Sequence, residues 1–140
     1  SETGRQGLIW DIGLELSERL DSFQPSCGVI IGVGRLGLVL AEVMADQRGA
    51  KYAGVSFPKD TGTRPLVDDI QRDQALIVGG FMPSGEALTN IVHQIRANHA
   101  TVGSMVVVTN QDFSRGQLSA ARQLGVAVHD FDPTALMRQY

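Results

Sequence analysis

Cys27-Gly-Val-Ile-Ile-Gly-Val33 is an unbroken apolar run, Gly34-Arg-Leu-Gly37 follows as a glycine-bounded turn, and residues 38–47 then take up helical spacing. A strand without polar alternation is buried on both faces, as in a parallel sheet covered by helices. The same strand-then-helix alternation continues outward along the chain. Residues 52–57 read as a second strand, 74–78 as a third, 105–109 as a fourth and 126–131 as a fifth. Between them, residues 83–98 and 114–124 read as helices, the first with Leu88, Ile91, Val92 and Ile95 as its apolar stripe. Ile9, Ile12, Leu16 and Leu20 recur at helical spacing ahead of the first strand, giving a helix over 5–22, and a short helix from Pro133 closes the chain. Alternation of this kind implies right-handed crossovers and a three-layer α/β domain with a parallel sheet of about five strands.

At 140 residues the chain has the size of one domain, with an N-terminal helix within 1–22 and a core over 27–131. Hydrophobic residues make up 43% and charged residues 19%, with a net charge of −3, as in an ordinary globular protein. No Lys/Arg cluster marks a nucleic-acid partner. No apolar run is long enough for a membrane span, and a cytoplasmic location is the expectation. The single cysteine, Cys27, excludes an internal disulfide and reads as a small buried hydrophobe at a strand start. His93, His99 and His129 have no metal-ligand spacing, so no metal site is expected. Trp10 and Phe23 are expected to pack on the sheet or on a partner subunit, and Asp68-Asp69 should lie at the sheet end away from any ligand.

Ligands of open α/β sheets bind outside the carboxyl ends of the strands. Two glycine-rich segments fall at such ends: Gly32-Val33-Gly34-Arg35-Leu36-Gly37, and Gly79-Gly80-Phe81-Met82-Pro83-Ser84-Gly85-Glu86. Glycine permits close approach of a ligand, and the helix that follows offers unpaired N–H groups and the positive end of its dipole. Together they could hold both ends of a phosphorylated small molecule. The first segment also fits the dinucleotide pattern G-x-G-x-x-G, but that reading asks for an acid about twenty residues on, where Val55-Ser56-Phe57 stands.

The ordered set of segments resembles the type I phosphoribosyltransferases, orotate phosphoribosyltransferase most. Residues 32–41 resemble the pyrophosphate loop and its helix, which implies roles for Val33, Gly34, Arg35 and Leu36. Lys59-Asp60-Thr61-Gly62-Thr63 resembles the mobile catalytic loop, with Lys59 as its cation, although a solvated lysine fits equally. Residues 75–87 resemble the phosphoribosyl-diphosphate motif, which implies a phosphate and ribose seat at Gly79, Gly80, Phe81, Met82, Pro83, Ser84, Gly85, Glu86 and Ala87. The resemblance further implies a homodimer, no intrinsic cofactor, and Mg²⁺ accompanying a phosphoribosyl ligand if the chain is active.

Three departures bear on activity. Gly79-Gly80 replaces two adjacent carboxylates, Ala87 replaces a hydroxyl, and Val55-Ser56 replaces an Arg-Lys pair. With one helix ahead of the first strand, the hood over the base is expected to be reduced. The resulting expectation is a phosphoribosyltransferase-fold protein, catalytically impaired, serving in binding, regulation or assembly. The alternatives are an active divergent transferase of nucleotide synthesis or salvage, and a nucleotide-cofactor binder.

Overall fold

In the computed structural model, which describes residues 2–55 and 69–140, the element order is α1 (Glu2–Glu18), α2 (Leu20–Phe23), β1 (Val29–Val33), α3 (Gly34–Arg48), β2 (Lys51–Val55), β3 (Gln74–Gly79), α4 (Gly85–Ala97), β4 (Thr101–Val108), α5 (Arg115–Gln123), β5 (Ala127–Phe131) and α6 (Thr134–Met137). All strand pairs are parallel, in the order β2-β1-β3-β4-β5. This is the doubly wound arrangement whose switch point lies between β1 and β3, and it differs from the 3-2-1-4-5-6 order of dinucleotide-binding domains. The sheet end carrying Val33 and Gly79 is therefore where a ligand is expected.

Successive side chains leave a strand on opposite faces, and both faces here are covered. Val29, Ile31 and Val33 of β1 join Ile77 of β3, Met105 of β4, and the Leu88, Ile91, Val92 and Ile95 stripe of α4 in one core. Ile30, Leu76, Val78 and Val106 face the other way, against Ile12 and Leu16 of α1 and Leu40, Ala41 and Met44 of α3. Burying two such layers is the main favourable term in the fold, at roughly 25 cal/mol per Å² of apolar surface. Cys27 precedes β1 and packs half-buried against the second core, its thiol pushed up from its ordinary pKa mainly by burial. At the N-terminal edge of the sheet Lys51 Nζ lies 2.5 Å from Asp73 Oδ2, and this ammonium is the partner of that otherwise unbonded buried oxygen. Lys51 Nζ also donates to the Asp69 carbonyl, which puts Asp69 at the edge opposite the glycine segments.

Several boundaries depart from the sequence-based expectation. The first helix breaks at Arg19 (φ −98°, ψ 3°) into α1 and α2. β4 starts four residues before Met105, at Thr101. The turn expected over 34–37 is absent, and α3 runs straight out of β1 from Gly34, whose φ is +75°. The physical reason is close approach. A Cβ on Gly37 would stand 2.5 Å from the Val78 carbonyl oxygen, and one on Gly32 would stand 2.4 Å from that of Gly37. These two glycines press the first turn of α3 onto the sheet, and loop formation has no part in it. Lys59 and the rest of residues 56–68, including the Lys59-Asp60-Thr61-Gly62-Thr63 segment and Asp68, lie outside the described residues.

Candidate functional site

Val33 and Gly79 are register partners, so the two glycine segments emerge side by side at the carboxyl edge. They interlock. The Phe81 ring lies over Gly34, where a Cβ would come within 2.9 Å of Phe81 Cε1. In return the Leu36 side chain lies over Gly80, where a Cβ would come within 2.7 Å of Leu36 Cδ2. At Gly79 a Cβ would stand 3.1 Å from the Phe81 carbonyl oxygen and 3.5 Å from Met105 Cε. The space above the paired glycines is thus occupied by apolar side chains and backbone.

The residues of the first segment divide between two elements: Val33 ends β1, and Gly34, Arg35 and Leu36 form the opening turn of α3. They form no loop, contrary to the expectation of a pyrophosphate loop. No side chain caps that turn, and Arg35 beside it is exposed. A helix start without a cap leaves N–H groups for an anion.

The second segment is built differently. Ser84 is the N-cap of α4, and its Oγ accepts from the Ala87 backbone N–H at 3.1 Å. That bond uses one lone pair of the hydroxyl, and its O–H remains free to donate to a phosphate oxygen. Glu86 adds an exposed carboxylate in the first turn of α4, where it competes with any incoming anion for the dipole. Gln117 Nε2 donates to the Met82 and Pro83 carbonyls at 3.0 and 3.3 Å, tying this segment to α5. Pro83 is buried, and Gly85 lets α4 approach Ala120 of α5, with a Cβ there at 3.0 Å from the alanine Cβ.

Among the described residues no carboxylate takes the place of the acid pair that the resemblance implies. Asp130 is the in-register partner of Val107, itself the partner of Gly79, so it lies two strand spacings away, roughly 10 Å. Burial first, then Asp132 and Asp112, raise the Asp130 carboxyl above its ordinary pKa. Asp132 is lowered because the Thr134 hydroxyl and backbone N–H both donate to it, at 2.5 and 2.9 Å. Among the described residues no group of three His, Cys, Asp or Glu could hold a metal ion. A Mg²⁺ brought in by a diphosphate would meet no carboxylate of the described residues at Gly79-Gly80, so these residues by themselves do not fit one. His93 and His99 are exposed, and the His129 ring packs at a tilt against Phe23, with ring centroids 5.1 Å apart.

One feature of this edge was missed in the sequence. A cavity of about 600 Å³ opens beside Leu36, lined by Leu8, Ile9 and Ile12 of α1, Val108 of β4 and Met137 of α6, with Arg5 and Arg35 on its wall. The Ile9–Ile12 stripe was legible as apolar, but only the packing of α1, α3 and α6 shows that part of it lines a cavity.

No protein-family model matches this sequence, and no curated protein is similar to it. Solved structures do match. The chain superposes on orotate phosphoribosyltransferase from Aeropyrum pernix with a TM-score of 0.67 and 20% identity, over 99% of this chain and 77% of that one. Against adenine phosphoribosyltransferase from Leishmania tarentolae the TM-score is 0.69 at 14% identity, over 94% and 70%. UMP synthase from Leishmania donovani gives 0.63 at 15% identity over 94% of this chain, which spans 29% of that longer protein. The fold is that of the type I phosphoribosyltransferases. Among the described residues no helix is long and apolar enough to cross a membrane.

Proposed function

We propose that this chain is a phosphoribosyltransferase-fold module that binds a phosphorylated ribose compound at the β1–α3 and β3–α4 edge and does not transfer the sugar at enzymatic rates. The observation that carries the reading is the packing of Leu36 over Gly80. In the resemblance noted above, two carboxylates at this point accept hydrogen bonds from the ribose hydroxyls and favour positive charge developing on the sugar. Charge-assisted hydrogen bonds contribute ~1.5–3 kcal/mol each. Two lost bonds correspond to roughly 3–6 kcal/mol, or about 10²- to 10⁴-fold in binding or rate. The uncapped start of α3 and the exposed Arg35 support retention of an anion.

A regulatory or assembly role follows, as a homodimer, with Lys59 available as a second cation. The test is a titration with phosphoribosyl diphosphate, pyrophosphate and nucleoside monophosphates, run beside a transfer assay with orotate and purine bases. Saturable, salt-sensitive binding without transfer is expected. Turnover on the order of 1–10³ per second would overturn the reading in favour of an active, divergent transferase.

A further inference from the structure

Away from the sheet edge, a surface groove of about 550 Å³ lies between α1, α3 and the start of β2. Two aromatic residues line it, Trp10 on α1 and Tyr52 on β2, 43% and 45% exposed respectively. Its charged groups are Glu42 and Asp46, one helical turn apart on α3. Exposed aromatics of this size, left open to water on a groove that also carries charge, are not explained by core packing. Their faces attract cations, most of all organic ones whose carbon chain they can also cover.

The charge pattern points the same way. Glu42 and Asp46, like most of the carboxylates described, are in no ion pair among the described residues, so both are open to a cationic ligand. Like charges at this spacing repel. Arg48, the nearest cation in sequence, is drawn off to the Ser17 carbonyl of α1 and to Asp21 of α2. The groove also reaches Gly49 at the carboxyl end of α3, where the helix dipole is negative.

We propose that this groove binds a linear aliphatic diamine, its two ammonium groups on Glu42 and Asp46 and its methylene chain against Trp10 and Tyr52. A dication suits the site better than a monocation because the two carboxylates stand about 5–6 Å apart at their Cβ atoms, close enough to be bridged by one short chain. The volume is in the range of small-molecule sites, roughly 300–1,000 Å³. The groove lies beyond the middle of α3 from Gly34, so its ligand does not compete for the phosphate edge.

Trp10 is the only tryptophan in the chain, so its emission reports on this groove alone. The protein is titrated with 1,4-diaminobutane and 1,5-diaminopentane, with 1-aminopentane and 1,5-pentanediol as matched controls, and each titration is repeated by calorimetry. A saturable response to the diamines is expected, at least tenfold weaker for the monoamine and absent for the diol. Glu42→Gln with Asp46→Asn should weaken diamine binding at least tenfold while leaving the melting temperature within a few degrees. Tyr52→Leu should weaken it severalfold. Equal response to diol and diamine, unchanged affinity in the doubly neutralised variant, or no signal by either method would overturn the proposal.

Discussion

At the scale of single residues, the glycines of this chain serve packing more than turning. Gly80 is open on paper for a carboxylate, yet Leu36 occupies the space a side chain would need. Gly80→Asp is therefore expected to lower stability by about 1–3 kcal/mol, the usual cost of overpacking. Leu36→Ala in the same molecule should recover at least half of that loss. Urea unfolding of the two single variants and the double tests this, and strict additivity would show that Leu36 is not the obstacle. For the same reason, ribose-phosphate affinity should rise only when Gly79→Asp and Gly80→Asp are combined with Leu36→Ala. Gly37 meets a harder neighbour, the backbone carbonyl of Val78, which cannot rotate away. Gly37→Ala is expected to cost about 3 kcal/mol or more, since α3 as a whole must move off the sheet.

At the scale of elements, the two helices that open at the ligand edge differ in how their ends are satisfied. Ser84 caps α4, and Ser114 caps α5 in a reciprocal box with Gln117, whereas α3 has no side-chain cap. Ser84→Ala should cost about 1 kcal/mol, against a few tenths for Ser84→Gly, measured by chemical denaturation. If anions bind at α3, neither change should weaken pyrophosphate binding appreciably, whereas Arg35→Gln should. The start of α6 carries a pH-dependent contact, because Thr134 donates twice to the Asp132 carboxylate and holds its pKa below the ordinary value. A lowered carboxylate contributes stability that is present above its unfolded pKa, near 4, and disappears as pH falls through the folded value. Asp132→Asn should flatten the acid limb of the stability profile below about pH 4, as read by thermal unfolding across pH 2–6.

At the scale of the whole molecule, two contacts distant in sequence respond to alkali. Lys51 is raised above its ordinary value chiefly by its hydrogen bond with Asp73, and Tyr140 is raised chiefly by its hydrogen bond to Asp11 of α1. Both groups favour the folded state in their protonated forms. Their contribution is complete below the unfolded values, near 10, and is lost as pH rises through the folded ones. Melting temperature should accordingly fall between about pH 10 and 12, less steeply in a Lys51→Met, Tyr140→Phe variant.

How much of this was legible depended on the range of the interaction. The parallel sheet could be read from residues 27–33 and 74–78 because burial on both faces leaves an unbroken apolar run, and the α4 stripe because period 3.6 is a local property. The glycine segments were placed at one edge by strand alternation alone. Their interlocking could not be, since Leu36 meets Gly80, and Phe81 meets Gly34, only when β1 and β3 lie side by side. The Gly34–Gly37 stretch reads as a turn in sequence because a glycine required for close helix–sheet contact looks there the same as one required for a bend. The aromatic groove is the extreme case: Trp10, Glu42, Asp46 and Tyr52 carry no common pattern along the chain, and the packing of α1 beside α3 at the edge of the sheet makes them neighbours. Sequence alone determined the elements and the edge at which they open, because those follow from periodicity and burial. Tertiary structure decided what fills that edge and what lies exposed elsewhere, because both depend on contacts between residues far apart in the chain.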